Sequence, residues 1–414
     1  MKIIIPVLRL IVGLLFIFSG LVKANDPMGL SYKMQEFFEI WGIHQFNSWT
    51  LGLSVTMNAF EIVAGFALLL GWGPRLFTWL LLLMIVFFTF LTGYTYFTGA
   101  PKNCGCFGDC LPISSKESFL KDVVLLLMIG ILFSQKHRIK SLLGNGASVG
   151  LITLVALGSL GLQWYALTYM PVVDCLPFKK GNNIREKMKM PANAVPDSTV
   201  ITFVYKKGGE QVEFTADKFP ADFSTTTYEF ISRYDKVVRK GSNNEPPIKG
   251  FVLSGITDTD STGYVLEQTN ALLLFIEHFS KAGQGWKEPF GRIYSAASAR
   301  NIPVFLVTAE PGKATAELAG TVFSGMRVFK CDYKVIETAS RVPVTLYLLD
   351  KGTVMEKWSS PRFNKAIKTV SSMAGLPAEG LPVPENTETS DNPPPSDTTL
   401  SPARHESDTA ANSK

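Results

Sequence analysis

The residues best suited to chemistry are the cysteines of Asn103-Cys104-Gly105-Cys106-Phe107-Gly108-Asp109-Cys110. Thiols this close, separated by glycines that let the backbone bend sharply, have the spacing to exchange disulfide partners. A Cys104–Cys106 bond closes a very small ring and is strained, hence easily reduced, whereas a bond from either to Cys110 is less strained. Two other readings stand beside redox exchange. The cysteines staple the loop through a structural disulfide, or they hold a metal. Three thiols with no nearby histidine make a poor zinc site unless a fourth ligand such as Cys175 joins them. The chain has five cysteines, so at least one is free or paired elsewhere. Cys331, at the end of a predicted strand, reads as a small buried hydrophobe.

Ionisable groups inside apolar runs form the second candidate set. Asn58 and Glu61 are three apart and share one helix face, and Asp122 lies one turn into another apolar run. Such groups are costly in lipid and face a bundle interior or a functional cavity. The plainer reading is that they only pack the bundle by hydrogen bonding. The histidines (His44, His137, His278, His405) are scattered, with no His-Glu helical spacing of a metalloenzyme. There is no phosphate-binding glycine loop and no internal repeat.

The elements that must position these residues fall into two halves. Apolar residues concentrate in the first 170 positions and charged ones follow. A membrane-crossing helix needs about 20 mostly apolar residues to traverse ~30 Å of hydrocarbon. Five stretches suit: residues 3–21, 51–70, 76–97, 119–133 and 147–170. Ser114 and Glu117 form a capping-box pattern that starts the fourth. Lys2, Arg75, Lys136, Arg138 and Lys140 put the segments that carry them on the cytoplasmic side, against a smaller opposing set of Lys23, Lys33, Lys102 and Lys116. The expectation is an inside N-terminus, five crossings and an outside C-terminal domain. All five cysteines then face an oxidising compartment. A rival reading takes the run from Lys2 to Val22-Lys23-Ala24 as a cleaved signal peptide, with downstream sidedness unchanged. A net charge of +5, evenly spread, excludes a nucleic-acid surface.

In the soluble half, prolines mark residues 171–200 as a connector. A hairpin follows across Lys207-Gly208-Gly209-Glu210, with further strands at 236–239 and 250–254. From residue 271 strands and helices alternate: strands 271–276, 303–308 and 327–331, helices 287–300, 314–320 and 333–340. A hairpin of 344–349 and 354–358 comes next, then a helix over 361–373 capped by Ser360. This is the order of a thioredoxin-like fold. Residues 378–414, rich in Pro, Ser, Thr, Asp and Glu, cannot bury enough surface to order.

Three resemblances add to this. Arg341-Val342-Pro343-Val344 is similar to the turn where thioredoxin-like proteins keep a cis-proline beside the active site, at Pro343 here. The redox cysteine pair of that family should follow strand 271–276, but Glu277-His278-Phe279-Ser280 stands there, so no thiolate is available. The first 140 residues resemble the DoxX family and its MauE-like branch. The stretches are Arg9 through Lys23 (RLIVGLLFIFSGLVK), Glu61 with Gly65, the NCGCFGD loop, and SFLKDVVLLL around Asp122. The whole chain is similar to a family of Bacteroidota that fuses such a bundle to a degenerate thioredoxin-like domain. Pro171-Val172-Val173-Asp174 and Pro177-Phe178-Lys179-Lys180-Gly181-Asn182-Asn183-Ile184 carry that match, with Cys175 as a departure.

The resemblance divides the chain into a four-helix bundle (1–140), a fifth spanning helix (147–170), a connector and β-rich segment (171–265), a thioredoxin-like domain without its cysteine pair (266–376) and a disordered tail (377–414). It implies a multi-pass protein of a bacterial inner membrane with a periplasmic C-terminal domain. Its activity would be thiol redox or maturation of an extracytoplasmic client protein. Cys104, Cys106 and Cys110 would carry the exchange and a quinone would accept the electrons. Asn58, Glu61 and Asp122 would shape the bundle interior. The layout is similar to that of vitamin K epoxide reductase, although no membrane-buried Cys-x-x-Cys opens a helix. A scaffold that presents a client-binding domain is the competing class, and a small-molecule transporter the third.

Overall fold

The computed structural model describes residues 3–101, 105, 108–111, 113–196, 198–239, 241, 243–255 and 258–375. Cys104, Cys106 and the 378–414 tail lie outside the described residues.

Six helices lead: α1 (Ile4–Asn25), α2 (Pro27–Ile40), α3 (Thr50–Leu70), α4 (Pro74–Thr98), α5 (Ser115–Ser134) and α6 (Asn145–Tyr169). Four are long and apolar enough to cross a membrane: α1, α3 with the 3-10 turn His44–Trp49 before it, α4 and α6. This is one fewer than the five expected. In α5, residues Lys116, Glu117, Lys121 and Asp122 crowd the first two turns. The predicted capping box at its start is formed, with Ser114 Oγ accepting from the Glu117 amide and the Glu117 carboxylate accepting from the Ser114 amide. The spans wear apolar side chains outward, among them Leu10, Leu14, Phe18, Leu83, Phe90, Leu154 and Trp164, as a lipid-facing surface requires. Between α1 and α3 a methyl group on Gly65 would sit 2.8 Å from the Gly13 carbonyl, so these two backbones meet only because both positions are glycine. The amphipathic α2 is an addition to the expected set. Asp26 caps it, accepting from the Gly29 amide, and Pro27 takes the first turn.

Beyond a short helix α7 (Ile184–Lys187), strands β1 (Ser198–Lys207), β2 (Glu210–Thr215) and β3 (Tyr228–Arg239) make an antiparallel sheet of order β2-β1-β3. The hairpin is as expected, and β3 begins eight residues earlier than expected because it pairs with β1 along its whole length. Next come α8 (Thr262–Glu267), β4 (Ala271–Ile276), α9 (Phe279–Ala282), α10 (Lys287–Ser298), β5 (Val304–Thr308), α11 (Pro311–Leu318), β6 (Arg327–Lys330), α12 (Tyr333–Ala339), β7 (Val344–Asp350), β8 (Thr353–Ser359) and α13 (Phe363–Ser372). The five strands order as β6-β5-β4-β7-β8, with β7 antiparallel to both neighbours and β4, β5 and β6 parallel. Period-2 alternation sends Leu273 and Phe275 to one face, where Phe178, Ile184, Phe251 and Ile336 pack. Leu272, Leu274 and Ile276 meet α10 and α13 on the other, through Phe290, Ile293, Phe363 and Val370.

Two local expectations are corrected. Residues 250–254 form no strand, because only Ser254 bridges, to Asp260 and to Lys330. The final α-helix begins at Phe363, after a 3-10 turn over Ser360–Arg362, and Ser360 does not cap it.

Candidate functional site

The structure pairs Cys110 with Cys175, across 65 positions of sequence and a Cα–Cα distance of 4.9 Å. Cys110 therefore has its partner in the connector and not in its own loop, and Cys175 is committed to that bond, so it is not open as a fourth metal ligand. Cys331 is buried and free, and burial pushes its thiol up to about 12, which leaves it protonated and inert.

The residue before each bonded cysteine is an aspartate, and each aspartate is held by a cation of the α/β domain. Asp109 Oδ2 lies 2.6 Å from Arg341 Nη2, and Asp174 Oδ2 lies 2.8 Å from Lys357 Nζ. Arg341 uses every edge of its guanidinium. Nε reaches Asp26 Oδ2 at 2.9 Å, Nη1 donates to the Glu337 carbonyl at 2.7 Å, and the plane lies over the Tyr32 ring. Only 6% of its side chain is exposed. Burial works against its charge, and Asp26 and Asp109 outweigh that, so its pKa rises. Lys357 behaves alike: desolvation opposes its charge, Tyr347 and Asp174 offset it, and its pKa rises. The connector is also tied to the end of α1, since Asn25 Nδ2 donates to the Val173 carbonyl at 2.9 Å and Asn25 Oδ1 accepts from its amide.

Pro343 stands at the expected turn before β7. Among the described residues the cis peptide precedes Pro101, not Pro343. Pro343 lines a polar cavity between this turn and α2, together with Tyr32, Gln35, Glu277, Lys281 and Arg341. The Tyr32 hydroxyl donates to Glu277 Oε2 at 3.3 Å. His278 Nε2 lies 3.0 Å from Glu277 Oε1, so the two residues that follow β4 form an acid–imidazole pair. Desolvation first, and then the charge of Glu277, raise the Glu337 carboxyl to about 8.

Two of the three polar candidates, Glu61 and Asp122, meet in a second cavity, lined also by Ser19, Lys23, Phe88 and Lys121. Lys23 pairs with Glu61, both essentially buried, and its ammonium lies 4.8 Å from the Phe88 ring centre. Glu61 Oε2 has no hydrogen-bond partner among the described residues. Asp122 sits 2.7 Å from Lys121 and accepts from Thr92 Oγ1 at 3.0 Å. Asn58 turns elsewhere and donates to Gln163 Oε1 of α6 at 3.2 Å. Glu61 and Asp122 thus share a site, and Asn58 does not. Lys23 also lines an adjoining apolar cavity with Phe37, Trp41, Met57, Phe88 and Gly105.

Sequence reasoning missed Lys23, which reads as a loop charge, and also Arg341 and Lys357. The signal for Lys23 was available, because an acid in a membrane-spanning run calls for a base nearby.

Comparison with known proteins reaches the first third of the chain. Residues 1–135 match the family model described as methylamine utilisation protein MauE. Residues 199–240, the β1–β3 sheet, match a domain of unknown function, DUF8463. No curated protein and no solved structure matches the chain.

Proposed function

We propose, for a chain whose first 135 residues match MauE, that it is a membrane-bound thiol-redox factor that matures client proteins outside the cytoplasm. The observation that carries this reading is the Cys110–Cys175 disulfide, whose Cys110 belongs in sequence to the segment that also holds Cys104 and Cys106. A client dithiol would give two electrons and two protons to the Cys110–Cys175 disulfide, forming a client disulfide and freeing both thiols, with Cys104 and Cys106 taking part in the exchange. A quinone would take both in turn and leave as quinol. The apolar cavity beside Gly105, with Lys23 at one wall, suits a planar apolar ring carrying a carbonyl acceptor. Glu61, with one oxygen unpartnered among the described residues, would pass protons.

Five crossings and an outside C-terminal domain suit this geometry. Arg9 donates to the Leu68 carbonyl at 2.7 Å and to the Lys140 carbonyl at 2.9 Å, so the start of α1 and the end of α3 share one end of the bundle with the basic α5–α6 turn. The disulfide and Asp26 share the opposite end. The 20 residues of α5 run from one to the other, about 30 Å at 1.5 Å per residue. The order β5-β4-β7-β8 supports a thioredoxin-like reading of the α/β domain, in which Glu277-His278 would stand after β4 where that family keeps its thiolates.

A non-catalytic scaffold is favoured by one observation, that Arg341 pins the α/β domain to the bundle. The test is electron transfer from a model dithiol peptide to a soluble quinone by the full chain in nanodiscs. Redox chemistry predicts turnover that Cys104→Ser and Cys106→Ser abolish, and a scaffold shows none.

A further inference from the structure

The α/β domain has a partner already in place, and it is this chain's own cysteine loop. Four segments meet around the Cys110–Cys175 bond: the end of α1 (Asn25, Asp26), the α4–α5 loop (Asp109, Cys110), the connector (Val173, Asp174, Cys175) and the α/β domain (Arg341, Lys357). The pairing repeats. Each cysteine follows an aspartate, and each aspartate is paired with a nearly buried cation, Arg341 at 6% and Lys357 at 9% exposure. Both cations come from the β7–β8 side of one sheet, Arg341 two residues before Pro343 and Lys357 on β8.

A buried cation stripped of its carboxylate is strongly unfavourable, so Arg341 and Lys357 fix where Asp109 and Asp174 can lie. Those aspartates in turn fix the cysteines next to them in sequence. Conversely, the disulfide holds the two aspartates together for the two cations. Coupling between two equilibria is reciprocal: what bond formation adds to docking, docking adds to the bond.

We propose that the Arg341–Pro343 turn and Lys357 form a docking site for the bundle's Asp109-Cys110 and Asp174-Cys175 segments, which makes domain docking and the Cys110–Cys175 bond mutually dependent. Arg341 and Lys357 are positioning residues for the disulfide. Reduction splits the bond into two thiols, with two electrons from the reductant and two protons from water (a phosphine leaves as its oxide, taking the water oxygen), and it loosens the domain from α2. Redox state is thereby converted into exposure of the cavity lined by Tyr32, Glu277 and Pro343. This holds whatever the physiological electron acceptor is, and a phosphine reductant tests it without any quinone or client.

The experiment uses the full chain in nanodiscs. Hydrogen-exchange mass spectrometry follows residues 27–40 and 333–344 before and after reduction, and thiol labelling follows the reduction of Cys110–Cys175 in the native chain, Arg341→Gln, Lys357→Met and Asp109→Asn. The expected result is faster exchange in both segments on reduction, and disulfide reduction about tenfold easier in the variants, within the ~5–150-fold span of ordinary coupling. Lys357→Met and Asp109→Asn keep the test open if Arg341→Gln fails to fold. Unchanged exchange on reduction, or reduction as difficult in Lys357→Met and Asp109→Asn as in the native chain, would overturn the proposal. Absence of quinone turnover would count against the redox function and leave this coupling standing.

Discussion

The two charged clusters of this protein are built differently. In the bundle, Lys23 faces Glu61, and one carboxylate oxygen is left without a partner among the described residues. At the junction, Arg341 spends its donors on Asp26, Asp109 and the Glu337 carbonyl. A buried cation bonded through each of its three nitrogens has few acceptable geometries and serves to position its neighbours. A pair with a spare lone pair can accept a proton or a ligand atom with less rearrangement. On the proposed function, the contrast suits positioning at the junction and proton handling in the bundle.

The largest effect should come from breaking the junction cluster. Arg341→Ala leaves Asp26 and Asp109 facing each other without their cation and should cost about 3–5 kcal/mol in thermal or denaturant unfolding. Glu61→Gln strips the buried Lys23 of its carboxylate and should cost a comparable amount, about 3–5 kcal/mol, toward the lower end because the amide oxygen still accepts from Lys23. Replacing both Lys23 and Glu61 by Met should recover most of that loss while ending any proton transfer. A double variant as unstable as Glu61→Gln would break the comparison.

The junction should also carry a pH signature. Glu337 is raised to about 8 from an ordinary 4.5, so the folded state holds a proton that the unfolded state releases. Its contribution is complete below about 4.5 and is lost as pH rises toward 8. Melting temperature should fall across that window, and Glu337→Gln should flatten the fall. The smallest effect belongs to a purely local feature. Ser114→Ala removes the cap of α5 and should cost about 1 kcal/mol, with the clusters untouched.

What the sequence made legible is local. The Ser114–Glu117 capping box, the β1–β2 hairpin and the β4–β5 alternation rest on neighbours a few positions apart, and each is where it was expected. Asp26-Pro27 announced α2 with a cap and a first-turn proline, yet a half-polar helix between two apolar runs lacks the uniform hydropathy that marks a span. The junction was illegible because its pairs are remote: Arg341 and Asp26 are 315 positions apart. Disulfide connectivity among five cysteines is likewise not set by spacing, which is why the Cys110 partner lies in the connector and not in its own loop. Glu61 was legible as costly and so called for a base, but which base was hidden, because Lys23 sits at the end of an apolar run and reads as a surface charge.

The most direct test of the redox account is a reduction titration of the full chain in nanodiscs, with mass spectrometry assigning every cysteine pair at each potential. The account predicts a Cys110–Cys175 midpoint well above about −300 mV, the range of inert structural bonds, with Cys104 or Cys106 appearing in mixed pairs with Cys110 or Cys175 near that midpoint. A bond that persists below that potential, with Cys104 and Cys106 never oxidised, would contradict it and leave the disulfide a staple.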